Sequence, residues 1–161
     1  MRVNTVMAAA LLAAPLAALA PLGAAEPAGY VRWSGSDLKG YTQKLAPKIN
    51  AGKVANERLA TWGNHLAMIA YRAGDGEAEL HETQADVFVV QSGEATLVVG
   101  GELEGGKTTA PGEIRGPSIK GGSKQALGAG DVVHIPAKTA HQLLVAPGKD
   151  FTYLVVKVDT P

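Results

Sequence analysis

The chain has 161 residues, 46% hydrophobic and 19% charged, and its 15 basic side chains balance 15 acidic ones. That length suits one ordinary domain with a tail, and zero net charge gives no bulk attraction to nucleic acid or anionic lipid. With no cysteine, a disulfide framework, a thiolate nucleophile, a cysteine-ligated zinc site and a lipid anchor on cysteine are all excluded.

Residues 1–25 differ from everything after them. Arg2 is their only charge, and Met7 to Leu22 is almost entirely Ala and Leu, broken by Pro15 and Pro21. Gly23, Ala24 and Ala25 then present small side chains before Glu26. A basic start, a short apolar run and a small-residue site describe a secretory signal peptide. The alternative, a membrane anchor, needs about 20 apolar residues, which the proline-broken run does not supply. The expectation is an exported protein, periplasmic or secreted, with no membrane attachment once the leader is removed.

Residues 26–62 read as an N-terminal arm. Ser36-Asp37 is a plausible helix cap, and Leu38, Tyr41, Leu45 and Ile49 recur at helical spacing until Pro47 kinks or ends the run. Lys39, Lys44 and Lys48 read as the solvated side of that helix, not as a nucleic-acid contact. The apolar stripe could dock on the main body or on a partner subunit.

From about residue 63 the pattern becomes that of strands. His65–Arg72 is apolar on both faces, and Glu77–His81 follows a Gly-rich turn. Asp86–Val90 and Ala95–Val99 read as two strands separated by a turn at Ser92-Gly93-Glu94. Short candidates follow at Glu113–Ile119 and Lys124–Leu127, then Val132–Ile135, His141–Val145 and Phe151–Val158. Many short strands with no helical period among them indicate an all-β sandwich or small barrel.

Glu79 and His81 sit two apart on one strand, so their side chains face the same way. Asp86 opens the next strand, and His141 opens a remote one after a proline turn. A metal site in a barrel has this arrangement, and two imidazoles with two carboxylates suit borderline divalent ions such as Fe, Mn, Ni or Zn. On spacing alone, acids and histidines on a wet strand face are the better fit.

Residues 79–93 and 130–145 resemble the two signature motifs of the cupin superfamily. Glu79-Leu80-His81 takes the place of the first motif's His-x-His, Asp86 that of its glutamate and Gly93 that of its closing glycine; Gly130, Pro136 and His141 fall in register with the second motif. The resemblance spans about residues 65–158. It implies a single jelly-roll β-barrel over residues 63–161, with Glu79, His81, Asp86 and His141 as ligands of a divalent metal. Five positions depart from the pattern: Ala73, with Gly74 beside it, stands where the first motif opens on glycine, Glu79 replaces a histidine, Asp86 is one methylene shorter than glutamate, Lys138 replaces a turn glycine, and Val145 replaces asparagine. Asp86 could therefore reach the ion or serve as an acceptor beside it.

The resemblance implies a metal-dependent dioxygenase or isomerase acting on a small oxygenated molecule, or else a non-catalytic small-molecule binding or sensor protein, with or without metal. A homodimer is a further implication. His65 and His134 read as structural histidines that could also serve a pocket. The sequence contains neither a phosphate-binding loop ending in Lys-Ser/Thr nor a Gly-x-Ser-x-Gly element.

Overall fold

A computed structural model describes residues 25–161; the leader expected over residues 1–25 lies, but for Ala25, outside the described residues. Two units are distinguished. In the first, which ends at Tyr30, the Tyr30 N–H donates to the Pro27 carbonyl in a turn at 3.0 Å. The second, Val31–Pro161, carries all the regular structure.

Helix α1 (Gly35–Leu45) runs into a 3₁₀ turn at Ala46–Lys48, where Pro47 lacks the N–H that would continue it. Its cap is Ser34, two residues before the expected one. Ser34 Oγ accepts from Asp37 N at 3.1 Å and Asp37 Oδ2 accepts from Ser34 N at 2.9 Å, so Asp37 closes a reciprocal capping box. The helix's apolar stripe docks on the body. Leu38, Tyr41 and Leu45 pack against Ala55, Ile69 and Tyr71, and Thr42 Oγ1 bonds Thr152 Oγ1 at 2.8 Å and Ser92 Oγ at 3.0 Å. Lys39, Lys44 and Lys48 are exposed.

Twelve strands follow: β1 (Val54–Thr61), β2 (His65–Arg72), β3 (Ala78–His81), β4 (Gln84–Val99), β5 (Glu102–Glu104), β6 (Lys107–Ala110), β7 (Glu113–Gly116), β8 (Ser118–Lys120), β9 (Ser123–Gly128), β10 (Val132–Ile135), β11 (His141–Leu144) and β12 (Phe151–Asp159). One layer has the order β1-β2-β12-β4-β10, the other β6-β7-β3-β11-β4-β9, and all pairs are antiparallel. Strands β5 and β8 form a separate ribbon. Strand β1 lies in the segment expected as an arm; alternation there is too weak to announce it.

The turn expected at Ser92-Gly93-Glu94 is instead a corner inside β4, which belongs to both layers. Up to Gly93 it pairs with β12 and β10, and from Glu94 it pairs with β9 and β11. Gly93 makes the corner with φ +79°, and a Cβ there would lie 2.0 Å from the Asp150 carbonyl oxygen. Only glycine takes this conformation without strain and this close a contact.

The main core lies between the layers and includes Phe88, Val90, Leu97, Ile135, Leu143, Phe151, Tyr153 and Val155. Strand β2 is apolar on both faces because it serves two cores: Ala70 points between the layers, while Ile69 and Tyr71 face α1. This is the jelly-roll barrel that the motifs implied, with the N-terminal helix that the apolar spacing predicted. Among the described residues, no helix is long and apolar enough to cross a membrane.

Candidate metal centre

Strand register assembles the site. On one layer, Glu79 stands opposite His141 of β11 on one side and Arg115 of β7 on the other, while His81 stands opposite Glu113. On the facing layer Asp86 is directly opposite Lys157 of β12. Side chains opposite each other on antiparallel strands have Cβ atoms roughly 5 Å apart, so these pairings alone bring seven charged or imidazole groups to one end of the barrel. The turn before His141 is fixed to the first-motif strand by Lys138 N, which donates to the His81 carbonyl at 2.7 Å. Lys138 holds φ +62°, so it keeps the conformation of the glycine it replaces.

Glu79, His81 and His141 each offer one ligand atom, and these lie within 4.8 Å of one another. Asp86 lies beside this group. Its Oδ2 is 3.2 Å from His81 Nε2 and 3.6 Å from His141 Nε2, but it falls outside the cluster that includes Glu79. His81, Asp86 and His141 are at most 3% exposed.

The outer edge of the His141 imidazole is committed, and that of His81 faces a carboxylate. His141 Nδ1 donates to the Thr139 carbonyl at 3.1 Å, which leaves the Nε2 lone pair facing inward. His81 Nε2 accepts from Lys157 Nζ at 2.7 Å. An ammonium can only donate, so the His81 proton sits on Nδ1. That nitrogen is buried and 2.9 Å from Glu113 Oε2, although the angle does not meet that of a hydrogen bond. An imidazole oriented by a carboxylate or carbonyl on its far edge is the usual arrangement at a metal. Glu79 is prepared similarly: Oε1 accepts from Arg115 Nη1 at 2.9 Å and Arg72 Nη2 at 3.4 Å, while Oε2 faces His81 Nε2 at 3.7 Å. Arg72 is itself held by the Tyr153 hydroxyl at 3.1 Å. The donor set and its orientation fit a divalent ion, with Glu79 as a monodentate ligand.

Electrostatics keep the acids ionised. Burial pushes Glu79 up, but the Arg115 and Arg72 guanidiniums hold it below the usual carboxylate range. Burial likewise pushes Asp86 up, and the adjoining His81 imidazole and Lys157 ammonium more than reverse it. Burial holds His141 below the usual histidine value against the pull of the Thr139 carbonyl, Glu79 and Asp86. His141 is thus neutral and its Nε2 free to bind an ion.

Beside the cluster lies a cavity of about 120 Å³, lined among others by Asn56, Met68, Arg72, Glu79, Arg115 and Lys157. A more open depression of about 380 Å³, lined by Glu94, Thr96, Leu127 and Leu144, has no cluster of ligand-type side chains. His65 stacks on Trp62 with ring centroids 4.8 Å apart, and His134 is exposed on β10; neither lines the cavity.

The sequence reading overlooked Arg72, Arg115 and Lys157. A signal was present for two of them. Arg72 is in phase with the inward-facing Ala70, and Lys157 with Tyr153 and Val155. A charge in the inward phase of an apolar strand points to a buried partner.

No family model matches the chain, and no curated protein is detectably similar to it in sequence. Solved structures are similar in fold. A conserved protein with a double-stranded β-helix domain from Klebsiella pneumoniae is 15% identical, with 80% of this chain and 89% of that one covered at a TM-score of 0.52. KdgF from Halomonas sp. is 16% identical, with 68% and 81% covered at 0.50. Pac13, a nucleoside dehydratase from Streptomyces, is 8% identical, with 70% and 75% covered at 0.50. This chain shares the fold of these structures, the double-stranded β-helix jelly roll that the motif resemblance implied.

Proposed function

We propose that this chain binds a divalent metal ion through His81, His141 and Glu79 and takes a small oxygenated ligand in the adjoining cavity, as a metal-dependent dioxygenase or isomerase. The observation that carries this reading is the convergence of the three ligand atoms within 4.8 Å. Each imidazole has its Nδ1 edge turned outward, and the second Glu79 oxygen is already taken by guanidinium groups. Asp86 acts beside the ion as an acceptor, because Lys157 holds both of its oxygens, at 3.0 and 3.2 Å.

When bound, such an ion supplies Lewis acidity toward a carbonyl or enolate oxygen, or a position for O₂. The chain's own residues orient and select. Arg72 and Tyr153 hold Glu79 in place from within the barrel. The Arg115 side chain, 35% exposed, stands at the cavity and has N–H groups for an anionic oxygen of the ligand. Phe88, Met68 and Val155 give the cavity an apolar wall. The basic start and Ala/Leu run of residues 1–25 support export to a periplasm or beyond.

Elemental analysis tests the reading. Wild-type protein is expected to carry close to one first-row metal per chain and His141→Ala almost none; equal, negligible content in both after supply of Fe, Mn, Ni and Zn refutes it. A second reading, a non-catalytic small-molecule carrier without metal, is favoured by one specific feature: the Lys157 ammonium on His81 Nε2.

A further inference from the structure

Lys157 stands where an ion would approach. Its Nζ is 2.7 Å from His81 Nε2 and 3.0 and 3.2 Å from the Asp86 oxygens. A neutral imidazole nitrogen of this type has one lone pair, and a bound first-row metal would sit about 2.0–2.1 Å along it. That lone pair cannot serve both an ammonium hydrogen and an ion. The charges agree with this exclusion. The two carboxylates Glu79 and Asp86 already face three cations, Arg72, Arg115 and Lys157, and a divalent ion added with Lys157 in place would meet a like charge at contact distance.

The structure also provides an exit. Lys157 lines the cavity of about 120 Å³ and is held by two Asp86 oxygens, so it can release His81 while keeping Asp86. Lys157 and Val155, two apart on β12, both line that cavity.

We propose that Lys157 is an intramolecular competitor for the metal position. Its ammonium holds the His81 lone pair in the ion-free protein and moves into the cavity when an ion binds, so this one side chain sets the metal affinity and couples ion occupancy to the shape and charge of the ligand cavity. The inference rests on the metal reading above. It assigns Lys157 a role beyond its charge pairing with the buried Asp86.

The test is calorimetric titration of chelator-treated wild type, Lys157→Met and Lys157→Gln with zinc chloride and then manganese chloride, with His141→Ala as control. Removing the competitor is expected to tighten binding by at least about tenfold, the scale of effects from groups beside a metal ligand. Lys157→Gln covers the case in which the methionine variant does not fold. A second readout follows Lys157 itself in wild type: its acylation by an amine-reactive reagent, read by mass spectrometry, is expected to speed up several-fold when zinc is present. Equal affinities in wild type and variants, weaker binding in the variants, or a Lys157 reactivity indifferent to zinc overturns the proposal while the metal site stands. If no form binds either ion, the metal reading falls and this inference with it.

Discussion

The Asp86–Lys157 pair gives the sharpest energetic prediction. Asp86 is 2% exposed and Lys157 meets it from directly across the β4–β12 ladder. Removing one partner of a buried pair leaves an uncompensated charge and costs about 3–5 kcal/mol. Lys157→Met in ion-free protein strands the Asp86 carboxylate, with the His81 and His141 imidazoles, at 3.2 and 3.6 Å, as its remaining polar neighbours. The expected cost is therefore at the lower end, about 3 kcal/mol. Asp86→Asn strands an ammonium whose side chain is 15% exposed and can turn toward solvent, so its cost is smaller, about 1–2 kcal/mol. In the double variant neither charge remains, and the loss should fall short of the sum by at least roughly 1.5 kcal/mol. Urea unfolding at pH 7.5 with chelator measures this; at a slope of about 2 kcal/mol/M, the Lys157→Met midpoint shift is about 1.5 M. Additivity within about 0.5 kcal/mol would refute the pairing.

Three further predictions follow from the fold and the charges. Gly93→Ala places a methyl 2.0 Å from the Asp150 carbonyl at φ +79° and disturbs the 3.1 Å bond from Glu94 N to that oxygen, so it should cost at least about 2 kcal/mol in thermal or urea unfolding; a neutral result would contradict the corner. Lys138→Gly releases a left-handed lysine at φ +62° and should raise stability by about 0.5–1 kcal/mol, seen as a Tm a few degrees higher, with the His81 carbonyl contact kept; a lower Tm would mean that the lysine side chain holds the turn. Acid should destabilise the ion-free protein in two stages. Below about pH 6.5 the unfolded chain protonates its histidine while folded His141 stays neutral, so stability falls with pH through that window. Lower still, the stability from Glu79 and Asp86, fully present above the unfolded carboxylate range, is lost as pH drops through their depressed folded values. Urea midpoints from pH 7.5 to 4.5 should decline throughout, and the first stage should shrink in His141→Gln; a flat profile between pH 7 and 5 would contradict the burial of His141.

Much of this architecture was legible before any coordinates. Alternation and turn residues located β2, β3 and β10–β12 nearly to the residue, because each is short and bounded by glycine or proline. The i, i+2 spacing of Glu79 and His81 placed both on one face, and the structure adds His141 through the β3–β11 register. What escaped has physical causes. The corner in β4 resembles a turn locally, since Ser-Gly-Glu fits either and only the change of partner strands distinguishes them. Strand β1 has a half-buried pattern without clear alternation, so nothing marked it off from the arm. The helix cap fell at Ser34 because Asp37 serves the reciprocal role at the third helical position. Arg72, Arg115 and Lys157 were missed because a cation's partner is decided by register across strands, which no single segment encodes.

The ligand assignment can be tested most directly by X-ray absorption on protein loaded with one equivalent of zinc. Two imidazole ligands with oxygen donors in the range of about 2.0–2.2 Å are expected, and His81→Ala and His141→Ala should each remove one imidazole from the spectrum. A zinc environment without imidazole scattering, or one that neither substitution alters, would contradict the account.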